Sequence, residues 1–578
     1  MRTAFVVLAV LVVGCGGDDG ATSGDDTMGD DGPQCADSDG DGVTTCDGDC
    51  DDTNALVAPG MDELCGDNLD NNCNMQTEEG CEAGVGTFVS AITGNDNNAG
   101  TLDKPVKTIS KGISNAQLLG GARTVVIAEG TYTEKVRLIE GIDLLGGHQC
   151  DTTSCTFTRD ITAHPTVIAA TDFEGVLAGP TITQETLLSG LTLLGFGGNP
   201  TTADGSAAIT LAGGSPTLRG NKITGGNVGI TADAKNISIG VAVHFTTNQA
   251  GAVIENNEIT GGQGLNSFGI AIQSTNPIDT ALVHVRGNVI RSSAARRSVA
   301  VLAMQSANGS ELINNDITSG ASMGGISLGV HIGSDIVVDS NRVNLDRVLT
   351  GVCASPTTWC AGIGIEGSDA TVTNNIVLGP RGFKTAGLLI AEITEDSGDV
   401  LVANNYLGAG GTGTATGSMA TRSASAAVTL VRRSADFSET VGTLRNNIFE
   451  GGINSDRYGV FEDPDPDDSD SRIHPVSVDT NDFTFASQGS HVDTLYHAVQ
   501  DFPLGTSNYT NMTLLQTTGP GTIDKNITDA PKIDATYHLM TGSPCIDVGT
   551  DDRAPAKDFD GDDRPSGDHV DIGPDEYQ

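Results

Sequence analysis

The 578-residue sequence predicts an all-β fold, a parallel β-helix preceded by a small disulfide-rich module. Three observations carry this. First, a phrase of one or two Asn followed by an apolar pair keeps returning: Asn221-Lys-Ile, Asn256-Asn257-Glu-Ile, Asn288-Val-Ile, Asn314-Asn315-Asp-Ile, Asn341-Arg-Val, Asn374-Asn375-Ile-Val, Asn404-Asn405-Tyr-Leu, Asn446-Asn447-Ile-Phe and Asn481-Asp-Phe. Its last Asn recurs at intervals of roughly 26 to 42 residues, the range of stacked coils. Second, another phrase precedes many copies: Gly269-Ile-Ala-Ile, Val299-Ala-Val-Leu, Gly325-Ile-Ser-Leu, Gly362-Ile-Gly-Ile, Gly387-Leu-Leu-Ile and Ala427-Val-Thr-Leu. Third, six Cys and many acids crowd residues 35–81.

Both phrases are short β-branched runs with every second residue apolar, as in a strand with one buried face. Gly and Asn between the runs tolerate the left-handed backbone of a sharp corner. Asn at one position of successive coils can stack, its amides bonding along the stack. Helical repeats need runs of ten or more residues at 3.6 spacing, and the repeat region has none. The irregular period predicts a constant core with loops of varying length outside.

The N-terminus begins Met1-Arg2-Thr3, continues as an apolar run from Ala4 to Val13, and ends in Gly14-Cys15. The run is too short to span a bilayer and reads as an export signal. Val12-Val13-Gly14-Cys15 resembles the lipobox of bacterial lipoproteins, which implies removal of residues 1–14 and a lipid on Cys15. The single positive charge before the run, Arg2, departs from that pattern. The competing reading is an ordinary signal peptide. Residues 15–34 are rich in Gly, Asp, Ser and Thr and predict a flexible, self-repelling tether. The expected place is the cell envelope, at the outer membrane or cell surface, with the lipid as the membrane contact.

Residues 35–82 form the next unit. Cys35, Cys46, Cys50, Cys65, Cys73 and Cys81 in an exported segment too small for a core predict three disulfides of unassigned connectivity. Zinc competes weakly, since His is scarce. Asp37-Ser-Asp39-Gly-Asp41-Gly has oxygens at positions 1, 3 and 5 and Gly at 6, the first half of a calcium loop. Gly48 stands where a complete loop has Glu, so Asp47, Asp49, Asp51 or Asp52 would complete the shell. Asp70, Asn72 and Asn74, followed by Glu78, repeat the alternate-oxygen spacing. The competing reading is a solvated acidic turn. The run Asp39-Gly-Asp41-Gly, Cys46-Asp-Gly-Asp49-Cys50-Asp51-Asp52, Pro59-Gly60, Glu63-Leu-Cys65 and Asp67-Asn-Leu-Asp70-Asn-Asn72-Cys73 resembles a metal-binding motif family of myxobacterial-type surface proteins. That resemblance implies metal binding and a surface context, not catalysis.

The solenoid is expected over residues 86–578. Its opening, Thr87-Phe-Val-Ser90, Gly94-Asn-Asp96, Lys104-Pro105-Val-Lys107-Thr108-Ile109 and Val125-Val-Ile-Ala-Glu-Gly130-Thr-Tyr132, resembles the first domain of bacterial right-handed parallel β-helices of the pectin-lyase type. Residues 86–150 are then the cap and first coils. Ile109, Ile113, Ala116 and Leu119 make a helical stripe that predicts a capping helix. The last segment, 538–578, contains Gly542-Ser-Pro544-Cys-Ile546-Asp547, Asp558-Phe-Asp560-Gly-Asp562-Asp-Arg564 and Val570-Asp571-Ile572-Gly573, and resembles the end of surface β-helix proteins. Asp558, Asp560 and Asp562 have calcium spacing, or form a structural turn with Arg564. Cys150 with Cys155, and Cys353 with Cys360, predict two loop-closing disulfides. Cys545 is left as a buried thiol.

The formal charge is −45, with no Lys or Arg between Arg2 and Lys104, which argues against nucleic acid as a partner. No paired-carboxylate phrase of a β-helix hydrolase is present, and no catalytic residue is assigned. Arg296-Arg297 and Arg432-Arg433 read as solvated loop charges. His148, His244, His284 and His331 read as core-edge or surface residues. Trp359, the only Trp, with Glu366 and Asp369 would make a sugar-stacking platform. The expected role is non-catalytic: display, adhesion, or glycan and matrix binding, with structural calcium. The alternative is a calcium-dependent polysaccharide lyase or glycoside hydrolase on the same scaffold. Metal sequestration by the N-terminal module is a third, less favoured class.

Overall fold

The computed structural model describes residues 43–51, 57–59, 61, 70, 72–75 and 86–578, the last without segments 120–123, 199–204, 231–235, 246–250, 275–281, 305–306, 323–326, 346–352, 354–357, 393–399, 411–422, 433–438, 441, 464–472, 486–491 and 501–504. From Thr87 to Asp524 the chain is a parallel β-helix with three long sheets of 15, 12 and 12 strands. Each coil visits the sheets in turn. Thr217–Arg219 lies on the first sheet, Lys222–Thr224 on the second and Ile237–Phe245 on the third. The next coil repeats this with Val253–Glu255, Glu258–Thr260 and Asn266–Ser274, in parallel register. Two antiparallel additions stand out: Cys155–Arg159 on Asp143–Cys150, and Gly505–Tyr509 on Val492–Gln500.

One inward residue per short strand builds the core. Leu218, Ile254, Val285 and Leu312 stack on the first sheet, and Ile223, Ile259 and Ile290 on the second. Val241, Ile270 and Val301 stack on the third, and all ten side chains have no exposed surface. Each contributes about 2 kcal/mol by burial. The third-sheet strands depart from the expected single buried face. Ala207, Ile239, Ala242, Phe268, Ala271, Val299 and Leu302 form a second apolar layer that is also buried. This is why Val299-Ala-Val-Leu lacks strict alternation.

The corner between the first and second sheets explains the repeated Asn. The last Asn of each phrase points inward and forms a ladder through Asn221, Asn257, Asn288, Asn315, Asn341, Asn375, Asn405, Asn447 and Asn481 to Asn526. Each Oδ1 accepts the backbone N–H and the Nδ2 of the Asn one coil earlier. At Asn405 these distances are 2.8 and 3.0 Å. Its own Nδ2 also donates to the carbonyls of Val372 and Ala403 at 2.9 Å. A fully buried amide is thereby satisfied, as burial requires. The residue before each ladder Asn is left-handed, with φ of 53° at Asn256, 61° at Gly287, 56° at Asn404 and 53° at Lys525.

The Gly of the second phrase has a different cause. Ala208, Gly240, Gly269, Ala300, Gly329, Gly362, Gly387, Ala427 and Gly459 fall where the third-sheet register skips one pair in every coil. A Cβ on Gly269 would lie 2.7 Å from the Ala300 carbonyl oxygen and 2.6 Å from Ile290. Only small residues fit this bend.

Both ends are covered. Helix Ile109–Leu119 packs on Thr87–Val89 and Thr124–Ala128, burying Ile109, Ile113 and Ala116. Glu134 caps it, its carboxylate accepting the Ile109 and Ser110 N–H groups at 2.9 Å. Helix Met512–Thr518, which the sequence reading did not anticipate, buries Leu515 at the other end. The C-terminal segment then runs back along the Asn corner. Outward-facing Asn374, Asn404 and Asn446 donate to the carbonyls of Lys557, Asp571 and Thr550. In these paired phrases, one Asn serves the ladder and the other docks the segment.

Candidate metal centre

In the N-terminal module a disulfide joins Cys50 to Cys73, and Cys46 is also disulfide-bonded. Asp70 and Asn72 shape the turn around Cys73. The Asp70 carboxylate accepts the N–H groups of Asn74 and Met75 at 3.0 and 2.6 Å, and Asn72 Oδ1 accepts that of Asn74 at 3.1 Å. Asp49 differs. It is 6% exposed, its Oδ1 accepts the Asp51 N–H at 2.9 Å, and its Oδ2 is buried without a hydrogen-bond partner. A buried carboxylate oxygen left open is costly unless a cation meets it. The residues present therefore fit a cation. Asp37, Asp39, Asp41, Glu78, Cys15, Cys35, Cys65 and Cys81 lie outside the described residues.

The third calcium-spaced group does not converge on one point. Asp558 is buried and committed to the backbone. Its Oδ1 accepts the Asp560 and Asp562 N–H groups at 2.9 and 2.8 Å, and its Oδ2 accepts that of Glu576 at 2.9 Å. Asp560 turns instead toward His538, with Oδ2 3.0 Å from Nε2. Burial raises the Asp560 and Asp562 carboxyls above the ordinary carboxylate value, and neighbouring acids add to it. Arg564 holds the turn: it is buried and pairs with Glu576 at 3.1 Å.

The disulfides Cys150–Cys155 and Cys353–Cys360 are present, and Cys545 is a buried free thiol. The sugar platform is not formed. Trp359 is 5% exposed, with Nε1 donating to Asp463 Oδ2 at 2.5 Å and Lys384 Nζ 5.4 Å from its ring centre. Glu366 lies apart from it, 3.2 Å from His331 Nε2. Arg297 is also not the solvated charge expected. Its Nη2 lies 2.8 Å from His331 Nδ1, and its guanidinium sits over Phe268. These contacts follow from the outer layer of the third sheet, which pattern alone could not reveal. His148 is fully buried against the Ile127 carbonyl, and burial holds its imidazole down to about 3. His284 pairs with Glu311 at 2.6 Å. The Arg432 side chain and Arg433 lie outside the described residues.

Residues 49–79 and 465–484 match a family model, Cu-binding MopE, described as "Putative metal-binding motif". The first match contains Asp49 and the Cys50–Cys73 bridge. The second falls on a solenoid coil, where Asn481 belongs to the ladder and Asp482 is buried. No curated protein matches the chain. Among solved structures, pectate lyase Pel9A is 11% identical over 85% of this chain and 97% of that one, with a TM-score of 0.37. XylC in complex with xylose is 11% identical over 84% and 98%, with a TM-score of 0.32. GH136 lacto-N-biosidase from Eubacterium ramulus is 12% identical over 77% and 68%, with a TM-score of 0.29.

Proposed function

We propose that this protein is a surface-anchored, non-catalytic β-helix lipoprotein whose N-terminal module holds calcium and whose solenoid binds glycan or matrix. The observation that carries the metal reading is the buried, partnerless Asp49 Oδ2 beside the Cys50–Cys73 bridge. The family name points to copper, but the donors here favour a hard ion. Cys50 and Cys73 spend their sulfurs on each other, and residues 35–82 contain no His. Carboxylate and amide oxygens from Asp49, Asp51, Asp70, Asn72 and Asn74 suit calcium, whereas copper favours imidazole and sulfur. Asp37, Asp39 and Asp41 would add oxygens. The non-catalytic reading is supported by Arg297, His331 and Glu366, which are committed to one another. Anchoring rests on the Cys15 lipid, and the acid-rich chain disfavours nucleic acid.

Calorimetric titration of the mature chain with calcium and with copper, in wild type and Asp49→Asn, tests the metal. Calcium uptake lost in the variant supports the reading; copper uptake alone replaces it. A panel of uronate and neutral polysaccharides tests the role. Release of unsaturated ends or reducing sugar, abolished by chelation, would replace binding with the lyase or hydrolase alternative.

A further inference from the structure

We propose a second cation site, built from His538, Asp560 and Asp575, that takes a borderline divalent ion of the zinc class. None of its three residues belongs to the N-terminal module. One ligand atom from each residue lies within 4.8 Å of the others, and His538 Nε2 is 3.0 Å from Asp560 Oδ2. A tetrahedral ion with bonds of ~2.1 Å needs its ligands roughly 3.4 Å apart. Small side-chain rotations close the set.

The imidazole is oriented as a ligand. Thr536 Oγ1 lies 3.0 Å from Nδ1, and Asp534 Oδ2 3.5 Å, on the side away from the site. A hydroxyl or carboxylate behind one ring nitrogen fixes the tautomer that leaves the other nitrogen for a metal. Asp575 is held as firmly. Its Oδ2 accepts the Leu539 N–H at 2.5 Å. His538 and Asp560 keep 44% and 41% of their side-chain surface exposed, so an ion reaches the site from solvent and a water can fill the fourth position.

The donor set selects the ion. One nitrogen and two carboxylates match the borderline divalent metals, whereas calcium wants six to eight oxygens. Asp558 is engaged by three backbone N–H groups and is not among the three ligands. The ligands come from three stretches of the C-terminal segment: the turn at Asp534 to His538, the hairpin closed by Lys557 and Asp563, and the final run. Tyr537, next to His538, packs on Tyr406 of the solenoid with ring centres 4.6 Å apart. One ion would tie the three stretches together beside the point where the segment docks.

The test is zinc chloride titration of the mature chain in saturating calcium, followed by native mass spectrometry and calorimetry. The wild type should take up one zinc that is lost, or bound at least tenfold more weakly, in His538→Ala and Asp560→Asn. Thr536→Ala should weaken it about tenfold through the tautomer. Asp49→Asn should keep this zinc while losing calcium, which separates the two sites. Because His538 is half exposed, His538→Gln with unchanged circular dichroism controls for folding. Zinc uptake unchanged in His538→Ala and Asp560→Asn, or no uptake by the wild type at millimolar zinc, overturns the proposal.

Discussion

The Cys545 thiol donates to Oδ2 of Asp482 across 3.4 Å, joining the C-terminal segment to the coil that carries Asn481. Both side chains are without exposed surface. Asp482 Oδ1 has no hydrogen-bond partner, and burial pushes the carboxyl up to about 7. The same burial, with Asp482 beside it, pushes the Cys545 thiol far above its ordinary range. The thiol is therefore inert and the acid is the group that titrates.

This fixes the sign of a pH dependence. The folded state holds the Asp482 proton more tightly than the unfolded chain, whose value is near 3.8. Stability is then greatest below about pH 4 and falls as pH rises through about 7, by on the order of 4 kcal/mol. Asp571 and Asp575, both pushed up to about 6 mainly by burial, act in the same direction. Urea unfolding of Asp482→Asn should show a much smaller difference between pH 5 and pH 8 than the wild type. An equal difference would contradict the assignment.

Asn405→Ala should destabilise the solenoid by about 3–5 kcal/mol. It removes an acceptor for Asn375 and a donor to Val372, Ala403 and Asn447, all buried. Groups so stranded bear the desolvation cost. Chemical denaturation measures the loss.

Lys525→Gly should stabilise by about 1 kcal/mol, because Lys525 is exposed and sits at φ 53°, where a Cβ is strained. Thr480→Gly, at φ 54°, should gain less, since Thr480 Oγ1 donates to Asn446 Oδ1 at 2.7 Å. Equal gains from the two would deny that hydrogen bond any role. Melting temperatures of the two variants decide.

Arg564→Ala should release the C-terminal segment. It strands the buried Glu576 carboxylate, which also holds the Ser566 and Asp571 N–H groups. Breaking one partner of a buried pair costs about 3–5 kcal/mol. Limited proteolysis should then cut within residues 538–578 while the coils before Asn481 stay intact.

The Asn phrase was readable because the ladder needs one residue type at one place in every coil. Nine of its ten members stand in the repeated phrase, and Asn526 was missed. It precedes Ile527-Thr528 directly, without the residue that separates Asn from Ile-Thr at Asn221, Asn257 and Asn315, and it lies 45 residues after Asn481. The acidic clusters were less readable. Asp558, Asp560 and Asp562 share the spacing of a calcium loop, yet spacing cannot say whether a carboxylate meets an ion or a backbone N–H.

By itself the sequence determined the solenoid, its corner residues, the two loop disulfides and the buried Cys545. These rest on local rules that recur in every coil: one inward apolar residue, one amide, one left-handed corner. Only the tertiary structure decided which side chains meet across the coils. It buried Trp359 against Asp463, paired Arg297 with His331, left Asp49 Oδ2 open, and brought His538 to Asp560 and Asp575. Those partners are 22 to 104 residues apart where they are paired, and nothing in the local pattern of either member encodes the other. Stacking and chain reversal set their distances, and distance decides whether a charge is paired, stranded or offered to an ion.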